Sequence, residues 1–289
     1  MKRKTALENG MRLLFLLCGV LSVAFVLLIS IYLIVSGLPA IREIGLKEFL
    51  FGQVWAPTAA EPSFGILPFL LTSVYGTAGA CLLGVPIGLL TAMYLAKAAP
   101  PKAAEVISGA VQLLAGIPSV VYGLVGMIVL VPAIQRAFGL SSGACLLAAI
   151  LVLTVMILPS IVSVSETALR AVPKEYEEGS LALGATETET WFRVSLPAAR
   201  SGVSAAVVLG VGRAIGEAMA IIMVSGNVAN MPSLLGSVRF LTTAVASEMS
   251  YAAYGSLQRQ ALYSIGLTLL LFILLLNAVL NLCLKRGKR

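Results

Sequence analysis

The sequence places two ionisable residues, Arg213 and Glu217, in the middle of a long apolar run. A charged side chain near the centre of a bilayer costs at least ~2.5–3.5 kcal/mol, so such residues face a protein interior or a watery path. The two are one helical turn apart, which predicts an ion pair on one helix face. The pair could serve only to fix helix packing. Alternatively, Arg213 could lie on the translocation path of an anion, with Glu217 holding the guanidinium in position.

Other chemical groups that an enzyme would need are missing from the sequence. Histidine and aspartate are both absent, which excludes most metal sites and intramembrane protease sites. Gly287-Lys288 is followed by Arg289 and lacks the upstream glycine of a phosphate-binding Walker loop. The cysteines lie in apolar runs without the spacing of a metal or redox site: Cys18, Cys81, Cys145 and Cys283. We therefore expect no catalytic residue, metal or cofactor, and no ATPase site in the chain itself.

The composition is that of an integral membrane protein. Hydrophobic residues make up 59% of the 289 residues and charged residues only 11%, against about 25% charged in a typical soluble domain. Several apolar runs reach the roughly 20 residues that a helix needs to cross a bilayer. We predict an all-α integral membrane protein with about six transmembrane helices. The expected spans are Leu13–Ser36, Gly65–Ala96, Ala104–Ile134, Leu140–Val164, Gly202–Ser225 and Ala261–Leu284.

The distribution of Lys and Arg predicts that both termini are cytoplasmic. With this orientation 14 of the 20 basic residues fall in cytoplasmic segments and 5 in external ones, as the positive-inside rule requires. The net charge of +7 then reflects membrane topology, so we expect contact with membrane lipid and none with nucleic acid.

The predicted segments follow from this orientation. They are a cytoplasmic basic tail (1–12), an N-terminal anchor helix (13–36), an external segment (37–64) with a short helix near Ile44–Phe51, a transmembrane domain (65–284) whose longest cytoplasmic loop is 165–201, and a cytoplasmic tail (285–289).

The spacing of residues in the 165–201 loop suits a docking element. A short helix is predicted from Glu175 to Leu183, and Gly184 ends it. Ala185 and Thr186 would then start a second short helix, whose acidic first turn interacts favourably with the helix dipole. Two short helices joined at a glycine form a compact knob that a groove in another protein could hold. The alternative is an acidic loop that contacts only solvent.

Glycine and proline are expected to interrupt regular helix in the third predicted span, at Gly116, Pro118 and Gly123. Irregular backbone at membrane depth is tolerated where it lines a cavity or is covered by protein. We therefore predict that Ser119 and Tyr122 lie near a translocation path, and the alternative is a kink that serves packing. Glycines four residues apart let helix backbones approach closely. Two such pairs are predicted to pack helices: Gly84 with Gly88, and Gly212 with Gly216.

Four positions of the loop, Glu178, Gly184, Leu196 and Pro197, have a spacing that resembles the EAA loop of ABC importer permeases with the MetI-like fold. Other stretches resemble the phosphate permease subunits of these importers, which are called PstC. These stretches are Phe64–Pro68, Gly84–Gly88, Gly116–Gly123, Gly212–Met219 and Ser225–Asn227.

The resemblance implies a transmembrane permease subunit of an ATP-driven inorganic phosphate importer in a bacterial or archaeal cytoplasmic membrane. It also implies three partners: a sister permease like PstA, a dimer of an ATPase like PstB, and an external phosphate-binding protein like PstS. Glu178, Gly184, Ala185, Leu196 and Pro197 would then couple the chain to the ATPase. Two alternatives stay open. One is a permease for another oxyanion such as sulfate or molybdate, and the other is a membrane subunit that signals the phosphate state without transport.

Overall fold

The structure, a computed structural model, describes the backbone of residues 2–286 and the side-chain surroundings of Glu8 and residues 10–279. Residues 287–289 of the predicted tail (285–289) and the surroundings of Cys283 fall outside these residues. The helices are α1 (Lys2–Ile44), α2 (Leu46–Phe51), α3 (Leu67–Met93), α4 (Pro101–Gly116), α5 (Ser119–Val125), α6 (Val131–Phe138), α7 (Leu146–Arg170), α8 (Lys174–Ala182), α9 (Glu187–Thr190), α10 (Leu196–Ala198), α11 (Arg200–Gly216), α12 (Met219–Val224), α13 (Leu241–Glu248) and α14 (Leu257–Arg286). Three π-helical segments continue α3, α5 and α9: Tyr94–Ala98, Gly126–Leu130 and Trp191–Ser195.

The prediction of an all-α membrane protein is confirmed, with one small addition. The strands β1 (Trp55–Ala56) and β2 (Ser63–Phe64) form a two-stranded antiparallel hairpin. Within residues 2–286, five helical stretches are long and apolar enough to cross a bilayer: Gly10–Ile44, Leu67–Ala98, Ser119–Phe138, Leu146–Arg170 and Leu257–Val279. A sixth span is formed if Glu187–Ala198 and Arg200–Gly216, which are bent by 74°, count as one.

The first helix is longer than expected. It continues through Pro39 to Ile44, so the segment that was expected to be external begins inside α1. Gly45, with φ of 89°, separates α1 from α2, which begins at Leu46. This left-handed backbone is accessible to glycine at little cost. Much of α1 carries exposed apolar side chains from Met11 to Val35, as expected of a helix in contact with lipid.

The predicted third span, Ala104–Ile134, is divided into two helical stretches, α4 and the stretch Ser119–Phe138 that contains α5 and α6. α4 ends at Gly116, and Ile117 has extended backbone angles of −70° and 128°. A residue before proline is disfavoured in helical conformation, so the break falls at Ile117-Pro118 as expected. The predicted break at Gly123 is wrong, since α5 runs through it.

The best-buried part of the fold lies between α3 and α7. A Cβ added at Gly84 would lie 2.7 Å from Ile157 Cδ1, and one at Gly88 would lie 2.7 Å from Ile161 Cγ2. Both isoleucines are fully or almost fully buried. The two glycines therefore let α7 lie directly against α3.

A second cluster joins the hairpin to α1, α3 and α14. The Trp55 ring packs edge-on against Phe64 and Phe69, with centroid distances of 5.7 and 5.6 Å. The Ser264 hydroxyl of α14 donates to the Gly37 carbonyl of α1 at 2.6 Å. These contacts fix the segment between α1 and α3 against the end of the helical bundle.

Candidate functional site

The helix that carries Arg213 ends one turn after it. Gly216 is the last residue of α11, Glu217 has extended backbone angles of −74° and 129°, and α12 begins at Met219. We call residues 217–218 the α11–α12 break. The Glu217 carboxylate accepts a hydrogen bond from the Ala220 N–H at 3.0 Å, which satisfies a free donor at the start of α12. The Glu217 carbonyl accepts from the Thr242 hydroxyl at 2.7 Å.

The predicted ion pair between Arg213 and Glu217 is not formed. A contact between residues four apart requires a helix that continues through both of them. Because α11 ends at Gly216, Glu217 lies outside the helix and its carboxylate caps the next one. Among the described side chains, no carboxylate lies within 4.0 Å of the Arg213 guanidinium.

Arg213 is half-buried and lies in the last turn of α11, where the helix dipole favours a cation. Tyr122 lies on α5, and its hydroxyl donates to the Leu114 carbonyl at 2.7 Å, across the break between α4 and α5. Ser119, also half-buried, is the first residue of α5. Tyr122 and Arg213 thus each lie beside an interrupted helix.

Close packing of α5 on α12 holds the two interruptions side by side. A Cβ added at Gly123 would lie 2.8 Å from Ala220 Cα and 2.9 Å from the Ala220 carbonyl oxygen. Since these are backbone atoms, any larger residue at 123 would push the helices apart. Gly123 therefore permits a close approach instead of breaking the helix.

A Cβ added at Gly212 or Gly216 would meet no atom within 4 Å outside its own helix. Among the described residues, nothing therefore packs closely on this face of α11, which we call its free face, and the packing role of the two glycines stays a prediction. Another face of the helix makes the internal contact, through Gly210 against Ile161 with an added Cβ at 3.0 Å.

An apolar cavity of about 600 Å³ opens between α5 and α7. Ile117, Val125, Val152 and Val155 are among its lining residues, and Tyr122 is also at its edge. Apart from Tyr122 and Thr154 the lining is apolar, so an ion would lose its hydration there and find few polar partners. This cavity is therefore unsuited to an anion, and the charged residue Arg213 does not line it.

The 165–201 loop forms the knob that its sequence predicts. α8 ends at Ala182, and Gly184 adopts φ of 87°, a left-handed conformation that turns the chain toward α9. The Thr186 hydroxyl accepts from the Glu189 N–H at 3.3 Å, and the Glu189 carboxylate accepts from the Thr186 N–H at 3.1 Å. The Thr186 hydroxyl also donates to the Glu189 carboxylate at 3.1 Å, and the bonds that this carboxylate accepts from the Thr186 N–H and hydroxyl hold the pKa of its carboxyl below the ordinary value. The second helix is thus fixed by a capping box.

Most of the predicted coupling residues lie on the outside of this knob, whereas Leu196 packs against the buried cluster at its base. Glu178 and Gly184 are exposed, Ala185 is half-buried, and Leu183 between the helices is 92% exposed. Leu196 and Pro197 begin α10, which leads into α11. The knob thus presents an apolar tip and acidic sides away from the helical bundle.

Three residues at the base of the knob were missed by the sequence analysis. Lys97 forms an ion pair with Glu177, and the Ser195 hydroxyl donates to Glu177 at 2.7 Å. Lys97 belongs to the π-helical segment after α3, far from the other two in sequence. A long-range contact of this kind has no periodic or motif signal.

Comparison with known proteins identifies the family. The family described as "Binding-protein-dependent transport system inner membrane component" matches residues 84–286. The probable ABC transporter permease protein YqgH of Bacillus subtilis is 41% identical over 273 residues, which are 92% of this chain and 88% of that protein. The phosphate transport system permease protein PstC of Haemophilus influenzae is 36% identical over 273 residues, 86% of this chain and 84% of that protein.

Solved structures share the fold. The MetNI methionine ABC transporter in an inward-facing conformation matches with a TM-score of 0.62 at 21% identity, over 78% of this chain and 96% of that chain. A bacterial alginate ABC transporter in complex with an alginate pentasaccharide-bound periplasmic protein matches with a TM-score of 0.60 at 16% identity, over 98% and 96%.

The fold and the exposed knob together define a multi-pass membrane permease of the MetI-like fold. The chain belongs to the family of binding-protein-dependent transport system inner membrane components. The resemblance found in its motifs is thereby confirmed.

Proposed function

We propose that this chain is the permease subunit of an ATP-driven inorganic phosphate importer and forms half of the translocation path. Relatives named phosphate transport system permease support phosphate as the substrate. The observation that carries the proposal is Arg213, a half-buried cation without a carboxylate partner among the described side chains, at an interrupted helix. A guanidinium has several donors in a fixed fork and keeps its charge at every physiological pH, which suits a phosphate oxyanion.

Arg213 would lower the barrier for the anion as it crosses the hydrocarbon region. A weak site is needed, because a deep energy well would trap the substrate. Ser119 and Tyr122, at the start of α5, would line the same part of the path. Glu217 would also lie beside it. Because its carboxylate caps α12, its task is to fix the α11–α12 break and not to neutralise Arg213.

The free face of α11 suggests where a sister permease lies. Gly212 and Gly216 would allow the backbone of another chain to approach this face closely, since nothing in the described chain covers them. Two such chains would enclose the path between them.

The 165–201 loop would dock onto a separate ATPase, which would perform all ATP hydrolysis. Glu178, Gly184, Ala185, Leu196 and Pro197 would form or support the docking surface, and the tip at Leu183 is exposed enough to enter a groove. Both termini would lie on the same, cytoplasmic side. An external binding protein would deliver phosphate to the opposite side, where the hairpin and α13 meet.

The experiment is transport by the purified complex in sealed vesicles. The chain is reconstituted with its sister permease, the ATPase inside and the binding protein outside, and labelled phosphate uptake is measured with and without ATP. We expect ATP-dependent uptake that excess sulfate or molybdate does not reduce. If excess sulfate or molybdate suppresses the uptake of labelled phosphate as strongly as excess unlabelled phosphate does, a permease for another oxyanion would be favoured. A complex that assembles and hydrolyses ATP but moves no anion would favour the signalling function.

A further inference from the structure

Three separate parts of the chain meet at the Glu177 carboxylate. Glu177 lies on α8, the first helix of the knob, and Lys97 lies in the π-helical segment at the end of α3. The Lys97 ammonium forms an ion pair with this carboxylate. The Ser195 hydroxyl, in the π-helical segment that follows α9, donates to the same carboxylate at 2.7 Å. We call Lys97, Glu177 and Ser195 the base cluster.

The base cluster is largely removed from solvent. The Lys97 side chain is 10% exposed, the Glu177 side chain 21%, and Ser195 is fully buried. Burial opposes ionisation of Glu177, but the hydrogen bonds from Lys97 and Ser195 outweigh it and hold the pKa of its carboxyl below the ordinary value. The contacts within the base cluster therefore favour the carboxylate form of Glu177. Removing either Lys97 or Glu177 would leave the other as a poorly solvated, unpaired charge.

Further hydrogen bonds join the helices of the knob to each other and the end of α3 to α7. The Ser180 and Thr190 hydroxyls are 2.9 Å apart and link α8 to α9. At the same turn as Lys97, the Arg170 guanidinium of α7 donates to the Leu95 carbonyl at 2.8 Å. The end of α3 is thus held both by α7 and by the knob.

α3 connects the knob with the opposite end of the fold. Along its length Gly84 and Gly88 lie against α7. Near its start, the Ser73 hydroxyl accepts from the Leu241 N–H at 3.0 Å, at the beginning of α13. A displacement of the α3 end by the knob would therefore reach the far side of the bundle through a single continuous helix.

We propose that the base cluster transmits movement of the docked knob to α3, with Lys97 and Glu177 as positioning residues. The inference rests on the proposed function, in which the knob receives the movement of an ATPase. Without the ion pair, α8 can tilt under the load while α3 stays in place. ATP is then hydrolysed without a matching change in the translocation path.

The test compares phosphate transported per ATP hydrolysed, in the same vesicles, for the complete complex. We expect Glu177→Gln and Lys97→Met to keep ATP hydrolysis but to lower this ratio about fivefold or more, the lower end of typical coupling between distant sites. The exchange Lys97→Glu with Glu177→Lys restores the pair in reverse and should recover most of the ratio. Glu175→Gln is the matched control, since it removes an exposed carboxylate from the same helix and should leave the ratio unchanged.

A wild-type ratio in an assembled Glu177→Gln complex would overturn the inference. If the single variants fail to assemble, the double variant with the exchanged pair provides the test of the inference. An exchanged complex that assembles and hydrolyses ATP but moves almost no phosphate would also overturn it. Failure of the proposed function gives a different result, namely no ATP-driven uptake by the wild-type complex itself.

Discussion

Glu217 shows how the end of a helix changes what a charged residue does. Its carboxylate binds the Ala220 N–H at the start of α12, not the guanidinium one turn before it. Glutamine can still accept this hydrogen bond through its amide oxygen, but alanine cannot. Losing such a cap costs about 1 kcal/mol, or about 2–4 °C in melting temperature for a chain of this size.

We therefore expect Glu217→Gln to melt at the wild-type temperature and Glu217→Ala to melt a few degrees lower, in purified protein by scanning fluorimetry. Equal losses in both variants would mean that the negative charge, and not the hydrogen bond, stabilises the α11–α12 break.

At Gly184 the backbone conformation, and not only the absence of a side chain, matters. Its φ of 87° is strained by about 1–2 kcal/mol for ordinary L-residues, and asparagine tolerates it better than β-branched residues do. Asparagine and β-branched threonine have similar volumes, so they separate conformation from bulk. We expect Gly184→Asn to retain more ATP-driven phosphate uptake than Gly184→Thr. Equal loss of phosphate uptake in both variants would show that side-chain bulk at the docking surface, and not the backbone conformation of residue 184, determines uptake.

At the scale of elements, the contact between α5 and α12 positions the interrupted helices. A methyl group at Gly123 would meet the Ala220 backbone at 2.8 Å, whereas one at Gly116 would meet nothing within 4 Å. Overpacking of this kind costs about 1–3 kcal/mol. Gly123→Ala should lower the melting temperature of the purified protein, and Gly116→Ala should not. Equal changes of melting temperature in the two variants would mean that α5 and α12 lie further apart than described.

The Glu177 carboxylate at the base of the knob should make the folded protein more stable at neutral pH than in acid. The ordinary pKa of the Glu177 carboxyl is about 4.5, and the folded protein lowers it. A lowered folded pKa stabilises the protein above the unfolded pKa, and the effect is lost as pH falls through the folded value. The melting temperatures of wild type and Glu177→Gln should therefore differ at pH 7 and converge below pH 4.5. A constant difference at both pH values would rule out this linkage.

Element boundaries were predictable where chain chemistry is local. Pro118 ended α4 at the expected place, and Gly184 separated two short helices as expected. The end of α11 was not foreseen, because Gly212 and Gly216 fit a packing pattern equally well and the apolar run continues beyond them. Because a continuous helix was assumed, an Arg213–Glu217 ion pair was predicted that the structure does not contain.

For the whole molecule, composition and apolar runs were enough to predict a helical membrane protein, and four spaced residues of the 165–201 loop were enough to predict its class. Contacts between distant segments were not predictable. The pairing of Lys97 with Glu177 depends on how α3 and α7 pack, which no local pattern encodes. The same is true of the close packing of α5 on α12 through Gly123 and Ala220.

The proposed role of Arg213 in the passage of phosphate is tested directly by uptake in reconstituted complexes that carry Arg213→Ala or Arg213→Lys. Alanine removes the cation, whereas lysine keeps the charge but loses the guanidinium fork. We predict that the alanine complex assembles, binds ATP and takes up no phosphate, and that the lysine complex retains part of the uptake. Near-normal phosphate uptake by the alanine complex would contradict the account and leave Arg213 with a role in packing alone.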